Sequence, residues 1–202
     1  MIAVIDYGMG NIASILNMFK RIGNKEVVLT KDPLVIEKAN KILLPGVGSF
    51  DYGMRNLNAS GLLPILNDRV LIQKTPVLGI CLGMQLLTKS SEEGVLNGLG
   101  WIDAKTVKFS FNQENFKIPH MGWNYIVQNK TSKLIDISKR QKFYFVHSYY
   151  VKCNKSDDVL ATCNYGHDFT CMIEHENIFG AQFHPEKSHR FGMELFDNFS
   201  KL

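Results

Sequence analysis

The sequence predicts an α/β fold: a mainly parallel open sheet flanked by helices, with an additional antiparallel strand region in the C-terminal half. Two observations predict it. Through the first half of the chain, short apolar runs alternate with amphipathic helical stretches, which demands crossover connections and parallel strands. From about Asp103 to Ile178 the pattern changes to shorter strands parted by polar turns, as hairpins require. A length of 202 residues suffices for one such domain over residues 1–202. Hydrophobic content of 45 % and charged content of 21 % suit a globular chain.

The elements follow in order. Ile2 to Ile5 is a buried strand, and Asp6-Tyr7-Gly8-Met9-Gly10-Asn11 is a loop. Asn11 is placed to cap a helix in which Ile12, Ile15, Leu16 and Phe19 share one face, with Gly23 as its stop. Glu26 to Thr30 is a second strand, Asp32-Pro33 opens a helix, and Lys41 to Leu44 is a third strand. In the second half, Thr106 to Phe109 and a run from Phe143 through Val151 read as strands. Cys171 to His175 and Ile178 to Phe183 flank Glu176-Asn177 as a hairpin would. From Ser188 a last helix carries Phe191, Leu195 and Phe199 on one stripe.

The chemistry centres on Pro76-Val77-Leu78-Gly79-Ile80-Cys81-Leu82-Gly83-Met84-Gln85. A buried strand runs into a glycine-flanked cysteine and then into an apolar helix, which is the form of a nucleophile elbow with sulfur in place of the serine oxygen. Gly79 and Gly83 remove the side chains that would collide at the corner. Cys81 then sits at a helix N-terminus, where unpaired amides favour a thiolate. The same residue would also suit a buried strand, since free cysteine packs well in cores.

A nucleophilic thiol needs a base, and His184-Pro185-Glu186 supplies a candidate. Pro185 biases His184 towards an extended backbone, in which His184 and Glu186 would project to one side and the carboxylate would orient the ring. As a motif alone, His-Pro-Glu also suits a surface turn. Leu44-Pro45-Gly46-Val47-Gly48 ends a strand in a glycine loop whose amides can face an open site, so Gly48 and the Leu82 amide are the oxyanion-hole candidates. Gly8-Met9-Gly10-Asn11-Ile12-Ala13 matches a loose dinucleotide-binding pattern, but the second strand ends without the acidic residue that would hold a ribose. His120 and His147 stand in aromatic, strand-like contexts that could border a site. His167, His175 and His189 read as surface or strand residues.

The remaining features exclude several classes. A net charge of +4 with scattered lysines leaves no footprint for nucleic acid. Cys81, Cys153, Cys163 and Cys171 form neither a Cys-x-x-Cys pair nor a zinc spacing with histidine, so no metal and no cofactor is expected. No apolar stretch reaches the roughly 18 residues of a membrane helix. The expectation is a cytoplasmic protein with reduced thiols.

The elbow, the Pro-Gly-Val-Gly loop and His-Pro-Glu stand in the order seen in triad-type (class I) glutamine amidotransferases, which the chain resembles throughout its length. Asp6-Tyr7-Gly8-Met9-Gly10-Asn11, Gly79 to Gln85, Pro119-His120-Met121-Gly122-Trp123-Asn124 and Phe145-Val146-His147-Ser148-Tyr149 are similar to the wording of the glutaminase subunits of imidazole glycerol phosphate synthases. The resemblance implies that Cys81 attacks glutamine and that His184, oriented by Glu186, moves the protons. It implies that Gln85, Ser148 and Tyr149 hold the substrate. It also implies that Pro119, Met121, Trp123 and Asn124 meet a (β/α)8-barrel synthase subunit in a heterodimer, which receives the ammonia. Without the resemblance, Trp123 reads equally as a core aromatic. One stretch departs: Ser90-Ser91-Glu92-Glu93-Gly94 through Ala104 is similar to a paralogous branch that feeds surface-sugar amidation enzymes. A silent interaction module or a cysteine hydrolase of the same fold are the remaining alternatives.

Overall fold

The structure, a computed structural model, describes residues 1–111, 116–136 and 138–202. Its first part alternates as expected: β1 (Ile2–Ile5), α1 (Ile12–Arg21), β2 (Val27–Thr30), α2 (Pro33–Glu37), β3 (Lys41–Leu44), α3 (Phe50–Ala59), α4 (Leu63–Asn67), β4 (Val77–Ile80) and α5 (Leu82–Leu86). The Asp32 carboxylate caps α2 by accepting the Leu34 N–H at 2.9 Å. Asn11 occupies the cap position of α1, yet its side chain makes no capping bond. Gly23 does end that helix, at φ +79°, with the Asn24 N–H reaching the Phe19 carbonyl. Between Phe50 and Ile72, where no element was expected, α3 and α4 are followed by one wide helical turn at Asp68–Ile72.

The second part holds β5 (Ser90–Ser91), β6 (Ala104–Lys108), β7 (His120–Gln128), β8 (Lys142–His147), β9 (Tyr149–Cys153), β10 (Val159–Tyr165), β11 (His167–His175), β12 (Ile178–Ala181) and α6 (His189–Lys201). The single run expected from Phe143 through Val151 is two strands. β8 pairs with β7, whereas β9 pairs with β6 and β11, so the chain changes partner at Ser148. Residue pattern does not reveal such a change, because both halves are apolar and extended.

A 12-stranded sheet runs β2-β1-β3-β4-β12-β11-β10-β7-β8, with β9, β6 and β5 branching from it. The first five strands pair in parallel and the following four antiparallel. Ile2 and Val4 face a core shared with α1 and α6, where the Phe19 and Phe196 rings lie 4.7 Å apart. Ala3 and Ile5 face the opposite core, with Phe50, Leu57, Leu66 and Leu86 from α3, α4 and α5. Cover on both faces explains why these strands are apolar throughout rather than alternating.

One connection decides the function. The β11–β12 hairpin turns through Glu176-Asn177 in the register His175↔Ile178, and β12 then lies parallel beside β4 as Gly180↔Gly79 and Ala181↔Ile80. A late strand is thereby inserted next to an early one, and both end at the same edge. Adjacent strands lie about 4.8 Å apart, so the residues that follow Ile80 and Ala181 must meet.

Candidate active site

Those residues are Cys81 and Gln182, with His184 just beyond. The Cys81 N–H donates to the Ala181 carbonyl at 2.7 Å, which fixes the corner to β12. Cys81 adopts φ +53° and ψ −110°, a strained shape for a non-glycine residue, and opens α5. The flanking glycines answer to particular atoms. A Cβ on Gly79 would stand 2.7 Å from the Gly83 carbonyl oxygen, and a Cβ on Gly83 would stand 1.9 Å from that of Leu44. The elbow is therefore wedged against the end of β3 and the loop that follows it.

His184 is held from three sides. Its N–H donates to the Tyr144 carbonyl at 2.9 Å, and its carbonyl accepts the Ser188 hydroxyl at 2.6 Å. The Ser188 oxygen in turn accepts the Tyr144 N–H at 3.0 Å. The backbone of His184 is extended, as Pro185 requires, but Pro185–Lys187 forms a 3-10 turn. Glu186 reaches the ring by that turn and not by the extended alternation expected from the sequence. The result is nonetheless close: His184 Nδ1 and Glu186 Oε1 are 2.8 Å apart, and both residues are buried. A carboxylate oxygen accepts, so Nδ1 carries the hydrogen and Nε2 is left for the thiol. Burial opposes charge on this ring, yet the hydrogen bonds and charges of Cys81 and Glu186 prevail and push its pKa up to about 10. Glu186 Oε2 is buried with no partner among the described residues, which leaves the imidazolium as the neighbour that balances the carboxylate.

A cavity of about 360 Å³ opens over this pair. Gly48 and Leu82 line it on one side, and Gln85, Ser148 and Tyr149 on another. Leu82 is the first residue of α5, so its N–H has no carbonyl one turn behind it. Gly48 sits at φ +105°. Pro119 also lines the cavity, whereas Met121, Trp123 and Asn124 do not. Along β7 the side chains alternate: Met121 and Trp123 stand on the outer face, 62 % and 42 % exposed. Trp123 is thus no core residue, and its indole stacks on His189 at 5.5 Å and 8°. Asn124 falls on the other face, where its amide donates to the Asn164 carbonyl at 2.8 Å. A larger hollow of about 580 Å³ lies at the opposite ends of the strands, around Lys74, Glu174 and Phe179, and has neither thiol nor imidazole in its wall.

Several contributors carry no sequence signal of their own. Glu93 and Lys187 bring one negative and one positive charge to the cavity wall, and the Glu93 carboxylate also accepts the Phe50 N–H at 2.8 Å. Tyr7 donates its hydroxyl to the Pro45 carbonyl at 2.5 Å, and burial with the nearby Cys81 charge pushes its pKa up. Gly10, part of the loose dinucleotide pattern, packs on Pro45, where a Cβ would come within 2.7 Å of the proline ring. The glycine-rich first loop is therefore a buttress for the Pro45–Gly48 loop.

His147 lines the cavity and His120 stands behind it, with His120 Nδ1 and His147 Nε2 3.0 Å apart. The His147 Nδ1 hydrogen goes to the Tyr149 carbonyl at 2.8 Å, so its Nε2 accepts from His120. Burial holds both rings neutral, with His147 down to about 3 and His120 to about 4. Among the described residues, no group of three or more His, Cys, Asp or Glu side chains is arranged to hold a metal ion.

A strained cysteine at a strand–helix corner, beside a histidine–carboxylate pair at the end of the neighbouring strand, is the arrangement that the sequence comparison then meets. The model of the family "Glutamine amidotransferase class-I" matches residues 3–202. The chain belongs to the class-I glutamine amidotransferases. Within that family it is 57 % identical over 202 residues to "Imidazole glycerol phosphate synthase subunit HisH 2" of Methanococcus maripaludis, covering 100 % of this chain and 99 % of the relative. It is 51 % identical to the protein of the same description from Pseudomonas aeruginosa, covering 100 % of both. It is 46 % identical to "Imidazole glycerol phosphate synthase subunit HisH" of Leptospira interrogans, again over 100 % of each. Among solved structures, one titled "Crystal structure of glutamine amidotransferase" superposes with a TM-score of 0.75 at 17 % identity, over 98 % of this chain and 97 % of that one. The amidotransferase fold is thus shared well beyond recognisable sequence similarity.

Proposed function

We propose that this class-I glutamine amidotransferase is the glutaminase subunit of an imidazole glycerol phosphate synthase, acting as one domain over residues 1–202. The observation that carries the chemistry is the meeting of Cys81 with the His184–Glu186 pair at the shared end of β4 and β12. The Cys81 sulfur attacks the side-chain amide carbon of glutamine while His184 Nε2 holds the thiol proton. The tetrahedral oxyanion faces the amides of Gly48 and Leu82, a contribution of about 2.7–4 kcal/mol per donor in comparable sites. His184 then gives its proton to the departing nitrogen, which leaves as ammonia, and a thioester remains on Cys81. A water that loses its proton to His184 opens the thioester, releasing glutamate and restoring the thiol. Gln85, Ser148 and Tyr149 hold the substrate. Glu93 and Lys187, of opposite charge on the same wall, suit an amino acid that carries both charges.

The partner is a (β/α)8-barrel synthase subunit, bound on the outer face of β7 through Met121 and Trp123 beside Pro119 at the cavity mouth, with Asn124 fixing the strand from behind. Similarity to subunits of that synthase at up to 57 % identity supports this assignment. The pair is a cytoplasmic heterodimer, and ammonia passes to the synthase for histidine biosynthesis, a glutaminase-coupled lyase reaction. A second acceptor is favoured by one observation. The stretch Ser90 to Ala104 is similar to the branch that serves surface-sugar amidation, and two of the relatives are numbered as a second such subunit.

The test has two arms. Cys81→Ala abolishes glutamate release while leaving the melting temperature and partner binding in place; residual activity near wild type would refute the mechanism. A pull-down from native cells recovers a histidine-pathway barrel, and recovery of a sugar-amidating enzyme instead would move the ammonia to that acceptor.

A further inference from the structure

Gln182 takes no part in the mechanism above, yet it is a fully buried glutamine, 0 % exposed, in the strand end that faces Cys81. A buried amide has to use its donors and acceptor or be expelled from the core. The hydrogen bonds around it fix its orientation without ambiguity. Gln85 places a terminal amide atom 3.1 Å from the Tyr149 carbonyl oxygen, and only the nitrogen can donate there. The same Gln85 Nε2 lies 3.0 Å from the Gln182 terminal amide, which must therefore present Oε1. The Gln182 nitrogen is left pointing the other way, 3.8 Å from the Cys81 sulfur. That separation lies within reach of the large, diffuse sulfur acceptor. The Tyr149 carbonyl that anchors the row also accepts from His147, so it cannot turn away without breaking two bonds.

We propose that Gln182 donates an N–H to the nucleophilic sulfur, opposite the imidazole, and that Gln85 is the positioning residue that keeps the amide turned in that direction. This rests on the reading of Cys81 as the nucleophile. Gln85 then serves two ends: it lines the cavity, and its nitrogen sets the neighbour of the thiolate. A thiolate with one ionic partner would swing about that contact. A second donor from the strand below fixes the line along which sulfur approaches the amide carbon, and favours the charged form over the thiol.

The test uses the full chain and iodoacetamide, with Cys81 labelling followed peptide by peptide as a function of pH. The other cysteines stay silent near neutrality, because burial pushes Cys153 and Cys163 up to about 12 and also raises the Cys171 thiol well above its ordinary value. Gln182→Met removes the donor at similar length, and the labelling midpoint rises by about one pH unit, the value of one hydrogen bond to a charged group. Gln182→Glu keeps the acceptor for Gln85 and adds a negative charge, so its midpoint rises further. Gln85→Met frees the Gln182 amide and moves the midpoint in the same direction by less. In both Gln182 variants kcat for glutamine falls about tenfold for each such unit, while KM stays within about twofold. If Gln182→Met melts below the assay temperature, the other two variants decide. Labelling profiles that superpose on the wild type overturn the proposal. A wild-type chain whose Cys81 is not labelled ahead of the other cysteines overturns the nucleophile itself.

Discussion

Gly83→Ala probes the wedge that sets the elbow. The added Cβ would stand 1.9 Å from the Leu44 carbonyl oxygen, where real contacts keep at least 3.0 Å, so the two backbones must part by about 1 Å. The obstacle is a carbonyl at the end of a central strand, which has no rotamer to escape into. Overpacking of this kind costs up to about 3 kcal/mol. At about 2–4 °C per kcal/mol for a chain of this size, the melting temperature falls by up to about 12 °C. Gly61→Ala is the control. Gly61 has φ +71° and open space around it, so its variant bears only left-handed strain of about 1 kcal/mol. Because α5 is displaced relative to the Pro45–Gly48 loop, the Leu82 and Gly48 amides separate and kcat falls on the order of 10²-fold. Thermal melting and glutamate release are read on both variants. A Gly83→Ala protein that melts no lower than Gly61→Ala and keeps its kcat would show that the elbow is not set by this contact.

Glu186→Gln keeps the volume but removes the anion 2.8 Å from His184, so the ring loses one of the two groups that raise its pKa. Glutamine hydrolysis should fall on the order of 10²–10⁴-fold, read as kcat at saturating substrate. The His120–His147 pair predicts a pH dependence of stability. Both rings titrate below their ordinary value of about 6.5 when folded and at that value when unfolded. At these two rings the unfolded chain therefore binds more protons in between, so the pair's contribution to stability is full above about pH 6.5 and declines as pH falls towards 3. The slope approaches about 1.4 kcal/mol per pH unit for each ring. Urea titrations between pH 4 and 8 measure it, and His147→Gln flattens the curve. Trp123→Ala removes an exposed aromatic from the β7 face and should weaken synthase binding by about 30-fold or more in calorimetric titration. Val28→Ala, on the far edge strand β2, should leave that affinity unchanged.

The elbow was legible because every part of it is local: strand, cysteine, helix and both glycines lie within one short stretch, and their sterics act over a few bonds. The first three strands, the capped α2 and the Glu176-Asn177 hairpin were legible for the same reason. What depends on pairing between distant segments was not. Ser148 looks like any polar residue in a strand, and its role as the point where the chain leaves β7 for β6 exists only once both partners are in place. The 3-10 turn that swings Glu186 under His184 follows from the Tyr144 and Ser188 clamps, which the motif His-Pro-Glu does not contain. Gln182 is the extreme case, since its hydrogen-bond partners Gln85 and Cys81 lie 97 and 101 positions away.

The insertion of β12 beside β4 explains why these long-range features cluster around one point. A parallel neighbour delivers its last residues at the same edge and height as the elbow, so each residue after Ala181 acquires a task set by Cys81. Gln182 meets the sulfur, Phe183 packs on Phe143 at 3.8 Å between ring centres, and His184 brings its imidazole to the Cys81 cavity. Phe143 belongs to β8, whose end leads through His147 to Tyr149 and back to Gln85. The cavity wall and Cys81 thus share one hydrogen-bonded frame, and β7 forms its outer edge through His120. A partner seated on Met121 and Trp123 would press on that strand. It follows that synthase binding should raise kcat, and that a lesion in the frame, such as His120→Phe, should reduce that gain more than it reduces basal hydrolysis. Equal losses in the two rates would place the coupling elsewhere in the fold.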